Sequence, residues 1–297
     1  MNRRALLDLM RRHGVRAGLR LGQHFLVDEA VLRRIVTALA AVPGDRVLEV
    51  GPGLGVLTEA LLQAGAAVTA VEIDRGLRPA LLEALGAPAA PGPGPWLGPQ
   101  PAEAPRPGLR LVWGDAVRLP WAALTAAEPG PWRLCSNLPY YVTGPFLASF
   151  LGGGLPWRDA VLLVQEEAAR RMLAAPGTGE YGAFSCLVQY HGAGEILFRV
   201  PRGAFLPPPA VGSLVLRLRP HAEPPTPAPR DRVLAVVRVA FAQRRKMLRN
   251  ALAAGLGREP EDVARALGRA GVDGTRRAET LSLAEFGAVA LALDGAS

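Results

Sequence analysis

Residues 46–65 leave few architectures open. Arg46-Val-Leu-Glu-Val50 is a short, nearly continuous apolar run, which suits a strand buried on both faces. It passes into Gly51-Pro-Gly-Leu-Gly55, after which residues 56–64 carry helical spacing until Gly65 stops it. Strand, glycine turn, helix is the start of a βαβ unit, whose strands must pair in parallel. The alternation continues: strands are expected at 67–71, 109–113, 132–136 and 160–165, a helix at 77–85 and helix-like stretches between. The chain is therefore read as α/β, with a doubly wound, mostly parallel sheet. Upstream, Asp28 is placed to cap a helix carrying Val31, Leu32, Ile35, Val36 and Leu39, ended by Pro43-Gly44.

Three stretches break the rhythm. Residues 86–108 are dense in Pro, Ala and Gly, and are expected to form a surface insertion without helix or strand. Residues 196–200 and 214–218 are expected to close the sheet as a strand pair. Five prolines between 220 and 229 mark a linker, and from Asp231 the pattern is helical, with Ser282 and Glu285 spaced as a capping box. The domains expected are 1–220 with a basic N-terminal arm, a Pro-rich linker at 221–230, and a smaller all-helical C-terminal domain at 231–297.

Lys+Arg 34 against Asp+Glu 26 gives a formal charge of +8, which favours a polyanionic partner. Lys246 is the only lysine; the arginine richness suits bidentate phosphate contacts and equally fits a biased genomic composition. Cys135 and Cys186 are too few for a disulfide framework, and His13, His24, His191 and His221 lack ligand spacing, so no metal is expected. Residues 1–20 hold six arginines and no apolar core long enough for a signal peptide or membrane span. A cytoplasmic protein with no membrane partner is expected.

The glycines at 51, 53 and 55 let backbone approach a ligand where a Cβ would intrude. Nicotinamide and flavin enzymes also use such turns, spaced around a pyrophosphate. Here Glu49 would repel a pyrophosphate and suit a cationic sulfonium amino acid, which points to S-adenosylmethionine. Glu72 closes the second strand, 21 residues after Gly51, where a carboxylate can accept both hydroxyls of an adenosine ribose. Asp115 follows the third strand and can accept from the adenine amine. Singly, each acid could be a helix cap or ion-pair partner; together, at successive strand ends, they line one crevice.

Ser136-Asn-Leu-Pro-Tyr140 follows the fourth strand. An aryl amine is a poor nucleophile because its lone pair is delocalised into the ring. If the Asn137 side-chain oxygen and the Leu138 carbonyl accept its two hydrogens, the nitrogen moves toward sp³ geometry and its lone pair is aimed. Pro139 stiffens that carbonyl, and Tyr140 offers a stacking face worth about 1–3 kcal/mol per base. Phe205, in Phe-Leu-Pro-Pro-Pro209, is the candidate for a second stacking face. The same four residues, 137–140, could also be a plain turn with a buried tyrosine.

These motifs together resemble the KsgA/RsmA-type ribosomal RNA adenine dimethyltransferases, over nearly the whole chain. The resemblance rests on Gly22-Gln-His-Phe-Leu26, Glu49 to Gly55, Ser136 to Tyr140, Gln165-Glu-Glu, Tyr181-Gly-Ala-Phe-Ser185, Phe205 to Ser213, and Phe241-Ala-Gln-Arg-Arg-Lys-Met-Leu-Arg-Asn250. It implies a Rossmann-like S-adenosylmethionine-dependent methyltransferase domain that dimethylates two adjacent adenosines in the 3′-terminal hairpin of 16S ribosomal RNA. The substrate would be the small ribosomal subunit or its late assembly intermediate, and the enzyme a monomer. It also implies that His24, Leu26, Gly51, Gly53, Glu72, Asp115 and Asn137 contact the methyl donor. The family usually carries Asn at 24 and Asp at 212, and a shorter stretch at 86–108. Arg244, Arg245, Lys246 and Arg249 are expected on one helix, gripping phosphate, with Phe241, Leu248 and Leu252 facing a core. The rivals are an Erm-like methyltransferase acting on large-subunit RNA, which the 241–250 stretch disfavours, and a non-catalytic RNA-binding factor, which the intact acids and 137–140 motif disfavour. A nicotinamide-dependent oxidoreductase would need a hydride-handling residue that is not found.

Overall fold

The computed structural model describes residues 1, 3–15, 23–86, 103–121 and 130–294. They form two compact units, one of residues 1–169 with 195–219 and one of residues 170–194 with 220–297.

The first unit is built on an eight-stranded sheet. Its strands are β2 (Arg46–Val50), β3 (Ala67–Glu72), β4 (Glu103–Arg106), β5 (Leu109–Trp113), β6 (Trp132–Asn137), β7 (Trp157–Gln165), β8 (Gly192–Val200) and β10 (Ser213–Pro220), in the order β4-β5-β3-β2-β6-β7-β10-β8. Strands β5, β3, β2, β6 and β7 run parallel, while β4 and β10 pair antiparallel to β5 and β7. The central strands are buried at nearly every position, as their unbroken apolar runs require. A separate two-residue pairing joins β1 (Phe25–Leu26) to β9 (Phe205–Leu206).

Among the described residues, the α-helices wholly within this unit are α1 (Arg3–Arg12), α2 (Glu29–Leu39), α3 (Val56–Gln63), α4 (Arg78–Ala84) and α5 (Thr143–Gly152). The Asp28 side chain accepts from the Ala30 and Val31 amides at 2.8 and 3.1 Å, capping α2 as its sequence suggests. The helix stops earlier than Pro43-Gly44, because Ala40 turns left-handed (φ 52°) with its N–H on the Val36 carbonyl. Helix α1 packs Leu6 and Leu9 against Phe25, Leu54, Leu77 and Ala80, so part of the basic arm is an amphipathic helix.

The insertion reading needs correction at its end. Residues 103–106 form β4 on the sheet edge; residues 87–102 lie outside the described residues. An edge strand tolerates Pro105, which a central strand would not.

The second unit holds α7 (Ala183–His191), α8 (Arg230–Ala242), α9 (Leu248–Leu256), α10 (Pro260–Arg269) and α11 (Leu283–Asp294); α6 (Glu166–Leu173) spans the division. Residues 170–194 belong here, although the sequence boundary at 220 put them in the first domain. Their Tyr181, Cys186 and Tyr190 share one apolar cluster with Val233, Leu252 and Phe286, and the Tyr181 hydroxyl donates to the Leu281 carbonyl at 2.9 Å. Ser282 and Glu285 form the capping box of α11.

Candidate active site

The strand order reverses between β2 and β6, whose connections leave to opposite sides. Loops at the carboxyl ends of strands flanking such a point splay apart and leave a crevice. A cleft opens here in two lobes of about 710 and 620 Å³. They share Gly51, Glu72, Ile73, Pro139 and Tyr141, so they form one continuous site.

The first lobe is lined by His24, Leu26, Glu49, Gly51, Gly53, Asn137, Leu138, Pro139 and Tyr140, and the second by Asp115. The cofactor and acceptor residues read from the sequence thus meet in one place. Phe205 does not join them. It is 1% exposed, pairs with Leu26 across β1 and β9, and sits in the core with Val200 and Val215. The expected stacking face is therefore not at the cleft; the alternative, an aromatic plugging the core beneath the loop, is what the fold uses. The aromatic that sequence reasoning missed is Tyr141, half exposed and bordering both lobes.

The glycine turn is shaped for close approach. Gly51 and Gly53 hold φ of 68° and 58°, and a Cβ on them would come within 3.1 Å of Pro139 and 3.0 Å of Phe25. Glu72 accepts from the Gly53 amide at 3.1 Å and the Asp74 amide at 2.8 Å, which fixes its carboxylate at the floor. Asp115 caps the short turn that follows it, accepting from Val117 N–H at 2.9 Å, while also lining the second lobe.

Burial dominates the electrostatics. Glu49 is 1% exposed and accepts from the Thr58 hydroxyl at 2.6 Å, and burial pushes its carboxyl up to about 8, with Glu72 adding to the rise. Burial likewise raises Glu72 to about 7, against the opposing pull of the Asp74 and Gly53 amides. Among the described residues no basic side chain pairs with either acid. Two buried carboxyls without a cation, beside a glycine cradle, fit a ligand that brings its own positive charge. Among the described residues no cluster of three or more His, Cys, Asp or Glu forms a candidate metal site.

The acceptor loop is oriented by bonds across the chain. Asn137 donates its side-chain N–H to the His24 carbonyl at 3.1 Å, so its nitrogen is committed and its oxygen is the group left to accept. Ser136 Oγ donates to the Val50 carbonyl at 2.5 Å, binding the acceptor strand to the glycine-loop strand. Tyr140 is held through its hydroxyl to Ser213 at 3.0 Å, and its ring centroid lies 5.2 Å from that of His24. The His24 Nδ1 lies 2.8 Å from the Pro207 carbonyl, which can only accept, so Nδ1 carries the hydrogen.

The basic residues of 244–249 lie in the second unit, and not on one helix. Helix α8 ends at Ala242, residues 243–247 make a turn, and α9 begins at Leu248. The Leu248 and Arg249 amides are taken by the Arg276 and Gly274 carbonyls, which redirects the chain. Arg244 anchors the turn through Glu279 (2.7 Å) and the Gly179 carbonyl (2.8 Å), while Arg245, Lys246 and Arg249 stand exposed.

The geometry has counterparts. Residues 15–90 and 117–293 match the family model for ribosomal RNA adenine dimethylase. Relatives named ribosomal RNA small subunit methyltransferase A include one from Pelotomaculum thermopropionicum, 41% identical over 95% of this chain and 93% of its own length. Another, from Moorella thermoacetica, is 40% identical over 97% and 96%. A dimethyladenosine transferase of Plasmodium falciparum shares the fold, with TM-score 0.70 at 21% identity over 92% of this chain and 98% of that one. The 23S rRNA methyltransferase ErmE is similar at TM-score 0.61 and 25% identity, over 91% and 99%. With the motifs gathered in one cleft and the match running through both units, the chain belongs to the ribosomal RNA adenine dimethylase family.

Proposed function

We propose that this protein uses S-adenosylmethionine to dimethylate N6 of two adjacent adenosines in the 3′-terminal hairpin of 16S ribosomal RNA, acting on the small subunit or a late assembly intermediate. The carrying observation is the Asn137 to His24 hydrogen bond, which turns the asparagine oxygen into the acceptor beside Leu138 and Pro139 in the cleft. Naming of the relatives for the small subunit supports the choice of RNA over that of the ErmE enzyme.

Bound in the cleft, the donor supplies an electrophilic methyl group on a sulfonium. Glu72 accepts from the ribose hydroxyls, Asp115 from the adenine amine, and Gly51 and Gly53 give room for backbone contact, with His24 and Leu26 closing the side. Asn137 and the Leu138 carbonyl take the two hydrogens of the target amine, directing its lone pair outward. Tyr140, restrained by Ser213 and His24, stacks on the target base. No general base is required, since the alkylated amine is acidic enough to release its proton to water. Arg245, Lys246 and Arg249 contact RNA phosphate. The protein works as a cytoplasmic monomer without a metal, and no helix among the described residues is long and apolar enough to cross a membrane.

Asn137→Ala tests the reading. With small subunits lacking the modification and labelled donor, methyl transfer should fall at least about 10²–10³-fold, the size of losing one transition-state contact. RNA affinity should stay within a few-fold. Undiminished transfer would sink the acceptor role.

A further inference from the structure

A second concavity of the first unit, larger than either lobe of the cleft at about 950 Å³, lies along α2 and is walled by β8 and β10. Its lining includes Arg33, Arg34 and Thr37 from the helix, Leu197 and Phe198 from β8, and Arg217 from β10. None of these residues takes part in the methyl-transfer chemistry.

Charge and geometry both select an anion. Among the described residues, Arg33, Arg217 and Arg219 pair with two carboxylates on this surface. Glu29 lies 3.8 Å from Arg33, and Glu195 is shared by Arg217 and Arg219 at 3.5 Å each. Arg34 has a different partner: its guanidinium lies over the Phe198 ring, 3.7 Å from the centroid. A guanidinium held over an aromatic face is already ordered, so it loses little rotamer freedom on binding a phosphate. Thr37, exposed one turn further along, adds a hydroxyl. Apolar Leu197 and Phe198 beside stacked arginine give a base or sugar somewhere to rest, which an acidic protein segment would not use.

Helix α2 starts three residues after Leu26, which lines the catalytic cleft, and rises about 1.5 Å per residue. Arg33 and Arg34 therefore follow the rim by little more than one helical turn. We propose that this groove is a second RNA-binding site, gripping the sugar–phosphate backbone of the ribosomal RNA substrate outside the catalytic cleft. The inference rests on the proposed function and deepens it by adding a footprint for the substrate.

Both α2 arginines are exposed, so Arg33→Ala/Arg34→Ala removes charge without opening the core. The full-length variant and the unsubstituted protein are compared for binding to unmodified small subunits and to deproteinised 16S ribosomal RNA, across a salt series. The site requires Kd to rise about tenfold on both probes and the slope of log K against log salt to become shallower by about one to two. Unchanged affinity and slope would overturn it. Weakening with subunits but not with deproteinised RNA would assign the groove to a ribosomal protein and overturn it equally. Calorimetric affinity for S-adenosylmethionine and melting temperature check that the variant is folded; if they fall, Arg33→Gln/Arg34→Gln takes its place. Failure of the unsubstituted protein to methylate subunits would count against the proposed function, whereas normal methylation beside an unaltered variant counts only against the groove.

Discussion

The two ends of the central sheet treat buried charge in opposite ways. At the amino ends, Arg133 on β6 is 5% exposed and fully engaged. Its Nε and Nη2 donate to Asp159 at 2.7 Å each, its Nη1 to Asp45 at 2.7 Å and to the Ala40 carbonyl at 3.1 Å, and it also reaches the Leu39 carbonyl. Burial alone would raise the Asp45 carboxyl, but the Val42 amide and Arg133 more than offset it and leave it lowered. At the carboxyl ends, Glu49 and Glu72 are as deeply buried and have amides and a hydroxyl but, among the described residues, no cation. A sheet that pairs its buried charge at one end and, among the described residues, buries proton-retaining carboxyls without a cation at the other suits a cationic ligand at that second end.

The contrast can be broken from either side. Arg133→Met should give the larger effect, a loss of about 3–5 kcal/mol of stability, because Asp159 would be left buried without its partner and Asp45 with Arg158 alone. Chemical denaturation measures it, and donor affinity of the folded fraction should be unaltered. A loss below 1 kcal/mol would mean that the amino-end network does not hold the sheet. Glu72→Gln should act the other way round. Donor affinity should fall about 10- to 100-fold, as expected on weakening hydrogen bonds to a charged acceptor, with a stability cost well under that of Arg133→Met. Calorimetry showing full donor affinity in this variant would remove Glu72 from the site.

Much of this was legible because period and punctuation are local. The change from a continuous apolar run to glycines to helical spacing located β2, its turn and α3, and the same reasoning put Glu72, Asp115 and Asn137 at strand ends. What escaped depends on partners far along the chain. The bond that orients Asn137 spans 113 residues, and Arg133 reaches Leu39 across 94. Residues 241–250 keep helical spacing, yet the chain turns because carbonyls at 274 and 276 capture its amides. Phe205 reads as a loop aromatic until the β1–β9 pairing buries it. Helix α7 could have covered either unit's core, since amphipathic spacing records a buried face and not its neighbour.

The most specific expected effect concerns Glu49. Its folded carboxyl is raised from 4.5 to about 8, so between those values the native state holds a proton that the unfolded chain has released. Stability of the donor-free protein must therefore fall as pH rises through that window, and the contribution is fully present only below it. A sulfonium or ammonium placed beside Glu49 favours the ionised form, so donor binding should release a proton, and affinity should strengthen as pH approaches 8. Glu49→Gln keeps an oxygen to accept from Thr58 but cannot titrate. Its melting temperature should decline less between pH 5 and 8 than that of the unsubstituted protein. The decline should not vanish, because Glu72, raised to about 7 by the same burial, acts with the same sign. Donor affinity measured in two buffers of different ionisation enthalpy should show proton release in the unsubstituted protein and less in the variant. Superimposable pH profiles for the two proteins would place the proton elsewhere and leave Glu49 as a structural partner of Thr58 alone.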